Sequence, residues 1–331
     1  IGRIVCMDYL LYIFCDIEKI IDIEIIIVNL ISEQHEECLL SLFQNKDYNE
    51  YNVQVILAAH LFGPLAGGYK IGNKGFPKDA RRCPNCGKDI SGKLKNISLG
   101  HGDVWHGHAD ILVKGSVVKV VSEEDDSDEE DGSSEQLQKK MRTESIEDDE
   151  SSESGEDYDS SVEKGEKMNA ISDHALSQTL AQTIVNAFAE VSNNQKLFSS
   201  FIPSFIATSK VIRITMYNCK LDSLIMTDYL DIFKVIGPKR VLNLSTIISI
   251  WFALNFENYF DKTNDLYPKF EEGHIKSNFK EHACEMFEIY KEKCTKPMSQ
   301  AEMNEIVEKF RLKKQGISFF FDVLDKAFSQ I

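Results

Sequence analysis

The chain has 331 residues, 43% of them apolar, which suits one large core or two modest ones and excludes a wholly disordered protein. Its formal net charge of −16 argues at first against a polyanionic partner, because phosphate binding is driven by Lys and Arg. That exclusion fails on inspection: Glu123 to Asp159 carry 18 acidic and three basic side chains, a local charge of −15 that leaves −1 for the rest.

At the N-terminus an apolar run is interrupted by Asp16, Glu18, Asp22 and Glu24. It falls short of the roughly 18 uninterrupted apolar residues of a membrane helix and lacks a small-residue cleavage site. A buried helix and no membrane partner are expected. Eight cysteines are scattered along the chain, and only Cys83 and Cys86 form a close pair. Such spacing suits reduced thiols in a nuclear or cytoplasmic protein. Cys38 lies near His35 on a helical stretch, where both read as packing or surface residues.

D-Y-N-E-Y-N-V-Q-V-I-L-A-A-H-L-F predicts a helix over 49–62, stopped by Gly63 and Pro64. Residues 63–78 are punctuated by glycine, match neither a P-loop nor a dinucleotide fingerprint, and read as turns. H-A-D-I-L-V, K-G and S-V-V-K-V-V predict a tight hairpin over 108–121. Residues 122–160 are Ser, Asp and Glu with almost no apolar side chains, so a disordered loop is expected there. S-V-E-K-G-E-K at 161–167 reads as a short strand, and Ser172 or Asp173 as the cap of a helix through A-L-S-Q-T-L-A-Q-T-I-V. Residues 210–217 alternate as a half-buried strand with S-L-I-M-T as hairpin partner. From 243 onward the pattern is helical, including a capping box S-Q-A-E at 299–302.

This order predicts an α/β or α+β fold with a mixed central sheet flanked by helices and a helical C-terminal layer. Three parts are expected: an N-terminal helical segment over 1–45, an α/β core over 46–235 that includes the acidic loop, and a helical region over 236–331.

Two constellations carry chemistry. Fourteen residues separate Cys86 from His101 and four separate His101 from His106, which falls inside C-x2-C…H-x3–5-H zinc spacing. G-H-G-D-V-W-H-G is too rich in glycine for the helix of a zinc finger, so the Zn²⁺ expected at Cys83, Cys86, His101 and His106 would tie an irregular loop. The second constellation is Asp110, which ends a polar loop and begins an apolar strand. With a carboxylate from a neighbouring strand it would hold Mg²⁺ or Mn²⁺, and the 161–167 strand offers Glu163, Lys164, Glu166 and Lys167.

The series of helix, W-H-G-H-A-D-I-L-V hairpin, E-K strand, Q-T-L-A-Q-T-I-V helix and V-I-R-I-T-M-Y-N-C-K-L-D-S-L-I-M resembles the PD-(D/E)XK, restriction-endonuclease-like superfamily. It is most similar to uncharacterised invertebrate members that carry F-G-P-x-A-G-G, C-P-x-C and an acidic insertion. The resemblance covers roughly residues 50 to 230. It implies a restriction-endonuclease-like fold and a metal-dependent nuclease, active or relict, acting on DNA or RNA. By the same resemblance Asp110 and Glu163 are metal carboxylates that act in catalysis. Lys164 or Lys167 is the catalytic lysine, Gln178 or Gln182 faces the site from the helix, and Glu50 is a further acid. The chain departs from the family at Gly165, which stands where the lysine of Glu-x-Lys would share a strand face with Glu163. The contrasting expectation is a noncatalytic, zinc-stabilised interaction protein whose acidic loop recruits basic protein partners.

Overall fold

A computed structural model of the protein describes residues 3–4, 31–72, 81–121, 171–258 and 277–294. The acidic loop, the 161–167 strand with Glu163, Lys164 and Lys167, and the capping box at 299–302 lie outside the described residues.

After the short strand β1 (Arg3–Ile4), helix α1 (Glu33–Gln44) turns Cys38, Leu39 and Leu42 inward. Helix α2 (Glu50–Leu57) begins where the Asn49 side chain accepts from the Asn52 backbone N–H at 3.1 Å. It does not stop at Gly63 and Pro64. A π-turn (Ala58–Phe62) carries it into α3 (Gly63–Ala66), which ends at Gly67 with φ 75°. Proline has no N–H to donate, and a π-turn is one of the few ways to re-register a helical ladder without ending it. Gly63 serves packing here, since a Cβ on it would lie 2.5 Å from Tyr69 Cδ1.

Among the described residues six further strands precede helix α4 (Asp173–Asn193): β2 (Lys70–Gly72), β3 (Leu94–Lys95), β4 (Ser98–Gly100), β5 (His106–His108), β6 (Ile111–Val113) and β7 (Ser116–Val120); β8 (Phe201–Ala207) follows it. Next come β9 (Val211–Asn218), β10 (Ser223–Met226) and β11 (Leu230–Asp231). The hairpin of β12 (Phe233–Ile236) and β13 (Lys239–Leu242) precedes the C-terminal helices α5 (Leu244–Leu254), α6 (Phe279–Ala283) and α7 (Phe287–Lys293).

The main sheet runs β1-β10-β9-β8-β7-β6-β2-β3, with β11 also paired to β9. It is mixed, as the sequence predicts: β6 and β7 are antiparallel, while β7 and β8 are parallel. A parallel neighbour needs a crossover, and α4 lies in that connection and packs on β8 and β9. Ser172 caps α4 by accepting from the Ala175 N–H at 3.3 Å. Buried hydroxyls join helix to sheet, Thr183 Oγ1 meeting Thr215 Oγ1 at 2.6 Å.

One strand departs from the sequence reading, and a second lies where the sequence reading placed no element. Lys70–Gly72 lies within the stretch read as turns, yet it pairs with β6 and extends the hairpin to three strands. F-I-P-S-F-I-A forms a central strand buried at every position. Burial on both faces removes the alternation that marks a strand in sequence, and Pro203 is a residue that usually argues against one.

Candidate functional site

The hairpin of β6 and β7 turns at Lys114 and Gly115, with Ile111 opposite Val118. One step further along the ladder, Asp110 stands opposite Lys119, and their side chains meet at 3.2 Å between Oδ2 and Nζ. The same Oδ2 accepts the Val120 backbone N–H at 2.8 Å. Helix α2 delivers Glu50, whose Oε1 is 4.0 Å from Lys119 Nζ. It also delivers Gln54, whose amide donates to the Asp110 carbonyl, an oxygen that accepts the Gly72 N–H as well.

These residues line an open cleft of about 380 Å³, together with Tyr51, His106, His108 and Ile97. That volume suits a small ligand or one unit of a larger one. The Asp110 side chain is 17% exposed and that of Lys119 24% exposed, so their pairing is partly withdrawn from water. Burial pushes the Asp110 carboxyl above its usual range, while the Lys119 ammonium and the Val120 N–H oppose that rise.

A separate cluster gathers Cys38 from α1, His60 from the π-turn, and Cys83 and Cys86 from the loop beyond. One ligand atom of each lies within 4.8 Å of every other. His60 Nε2 is 3.3 Å from Cys83 Sγ and 3.5 Å from Cys86 Sγ, and its Nδ1 is 2.9 Å from His35 Nδ1. The C-P-N-C-G turn is shaped by the Gly87 N–H donating to the Cys83 carbonyl at 2.9 Å, with Gly87 at φ 70°, and is closed by a bridge between Arg82 and Asp89. Burial lowers the His60 pKa to about 4, which keeps the imidazole neutral, and raises the Cys38 thiol to about 12. This cluster can bind a metal ion such as zinc, since neutral imidazole and thiolate sulfur are its usual ligands.

The structure brings Cys83 and Cys86 together as expected, but it does not bring His101 and His106 to them. His101 accepts the Asp103 N–H at 3.2 Å in its own turn, and His106 lines the Asp110 cleft, its ring 5.8 Å from that of His108. The antiparallel pairing of β4 with β5 holds His106 and His108 in a strand on that side, so sequence proximity to the cysteines does not become spatial proximity. Glu50 and Asp110 line one cleft. Gln182 is buried in α4 with its Nε2 unpartnered and is not among the residues lining the cleft, while Gln178 is exposed beside His174.

Sequence reasoning missed Lys119, Cys38 and His60. The first was within reach, because a two-residue turn at 114 and 115 places 110 opposite 119 by register alone. The other two arrive from separate helices, with no local spacing to mark them. The described cysteines Cys38, Cys83, Cys86, Cys219, Cys284 and Cys294 form no disulfides. Among the described residues no helix is long and apolar enough to cross a membrane. Compared with known proteins, the chain matches no family model, no curated sequence and no solved structure.

Proposed function

We propose that the Asp110 cleft is the centre of a metal-dependent phosphodiesterase of nuclease type acting on DNA or RNA, in the manner of the PD-(D/E)XK superfamily. The observation that carries this reading is the cross-strand pair of Asp110 and Lys119, joined by Glu50 from α2, in an open cleft at the mouth of a hairpin.

Two carboxylates with water access form a hard-oxygen donor set that fits Mg²⁺ or Mn²⁺. Such a cation would polarise a phosphate oxygen and lower the pKa of the attacking water. Asp110 supplies the carboxylate closest to the strands, held in place through Val120 N–H and, at its backbone, Gln54. Glu50 supplies the second. Lys119 stabilises charge developing on the phosphate, the role that the resemblance gives to Lys164 or Lys167. His108 and His106 border the same cleft.

Purified protein with Mg²⁺ or Mn²⁺ is expected to cleave single- or double-stranded DNA or RNA. Asp110→Asn and Lys119→Ala should each abolish cleavage while leaving the circular dichroism spectrum unchanged. Absence of cleavage by the wild-type chain on all these substrates with either metal would overturn the catalytic reading.

One observation favours a second reading. Strand faces alternate, so Val117 shares the face of Lys119, and it stands where the Glu-x-Lys pattern places a carboxylate. On that reading the cleft retains phosphate binding through Lys119 without hydrolysis. Lys119-dependent binding of nucleic acid, without products, would distinguish it.

A further inference from the structure

The geometry points to a closed, structural zinc site at Cys38, His60, Cys83 and Cys86, which fastens α1, the π-turn after α2 and the Cys83–Cys86 turn to one another. It does not depend on whether the Asp110 cleft hydrolyses anything.

The distances match a tetrahedral ion. Zinc bonds of roughly 2.3 Å to sulfur and 2.0 Å to nitrogen imply N···S edges of about 3.6 Å and S···S edges of about 3.8 Å. His60 Nε2 already lies 3.3 and 3.5 Å from two of the sulfurs, and all four atoms fall within 4.8 Å of one another. Contraction of an ångström or less would complete the polyhedron.

The donors also suit one metal. Three thiolates and one imidazole leave no position for water or substrate, which is the mark of a structural site and not of a catalytic one. Cys38, His60 and Cys83 are each no more than 2% exposed. Binding would release the three thiol protons to solvent and leave a net charge of −1 on the site. Lys88, whose charge reaches His35 and His60, offsets part of that charge, and the Asn85 amide donates to Cys38 Sγ at 3.4 Å. His35 Nδ1, 2.9 Å from His60 Nδ1, is placed to accept the proton of that nitrogen and so to fix the tautomer that presents Nε2 to the ion.

The π-turn gains a purpose in this arrangement. It carries His60 inward from a helix whose preceding turns present Glu50, Tyr51 and Gln54 to the cleft. Single π-turns occur often at functional positions, and this one contains the ligand itself, one short turn before the helix end at Ala66.

The full chain, purified without chelator and dialysed, is expected to hold one zinc per molecule by elemental mass spectrometry. Cobalt(II) in its place should give the intense visible bands of tetrahedral thiolate coordination. Cys38→Ser and His60→Ala should each lose the metal, whereas His101→Ala and His106→Ala should keep it. Because a ligand variant can fail to fold, the wild-type chain supplies an independent reading through alkylation. Cys38, Cys83 and Cys86 should be protected until a chelator is added, exposed Cys284 should react in both states, and buried Cys219 should be insensitive to the chelator. Failure of the wild-type chain to bind zinc or cobalt, iron in place of zinc, loss of zinc in the His101 or His106 variants, or chelator-independent alkylation of the three ligand cysteines would each overturn the assignment.

Discussion

The Cys/His cluster and the Asp110 cleft draw on the same helical segment, yet they present opposite environments. In the cluster, soft ligands from three segments converge, three of them buried and Cys86 partly so, and His60 is only 1% exposed. In the cleft, two carboxylates and an ammonium face an opening of about 380 Å³. Closure lets the first arrangement act on stability, because buried thiols and an imidazole gain little from water and much from a cation. Openness lets the second act on a ligand, and its charges compensate one another only in part.

The largest effect that would sharpen this contrast is on folding. Cys83→Ser, or chelation of the wild-type protein, is expected to lower the unfolding free energy by more than about 4 kcal/mol, the scale at which loss of a metal site is recognised. Chemical denaturation measures it, and a loss below about 1 kcal/mol would place the cluster among ordinary buried thiols.

Next is the cleft's own pair. Lys119→Met leaves the Asp110 carboxylate without its closest cation and should cost about 2 kcal/mol, a buried-pair loss discounted for partial exposure. Asp110→Asn should cost less, since the amide can remain in the site uncharged. If the two variants were equally destabilised, the ion pair would not be what holds the carboxyl in place.

A smaller effect concerns pH. The Asp110 pKa is raised in the folded state from its usual 3.8. The folded chain therefore binds the proton more tightly than the unfolded chain, and the contribution of this group is fully present below pH 3.8 and is lost as pH rises through the raised value. Asp110→Asn should remove that downward slope, and a thermal melt series of wild type and variant across mildly acid pH would measure it. An unchanged slope would mean that the carboxyl is not withdrawn from water. Smallest of all, His101→Ala should change stability by no more than about 0.5 kcal/mol, because this half-exposed histidine bonds only within its own turn. A loss comparable to that of Cys83→Ser would return it to the metal cluster.

The sequence signals that held were those carried by neighbours in the chain. Ser172 capped a helix, S-V-V-K-V-V paired with the strand after Asp110, and Val211–Asn218 paired with Ser223–Met226. C-P-N-C could be read as half of a metal site because a tight turn brings its two sulfurs together wherever it occurs. The errors arose where an element answered to tertiary surroundings. F-G-P was read as a stop, but Gly63 was needed to admit the Tyr69 ring, and a π-turn absorbed the proline. F-I-P-S-F-I-A showed no alternation because both of its faces are covered.

The sequence by itself determined a mixed α/β core, an aspartate at the mouth of a hairpin and a cysteine pair in search of partners. Local periodicity and turn chemistry suffice for those, since they depend on residues a few positions apart. Hairpin register already sets Lys119 opposite Asp110, but only the tertiary structure decided which further residues completed each site. It brought Glu50 to Lys119, gave Cys38 and His60 to the cysteine pair, and left His106 in the cleft. Convergence of side chains from α1, the π-turn and a distant loop is set by how helices pack on the sheet, and no spacing within any one of those segments encodes it.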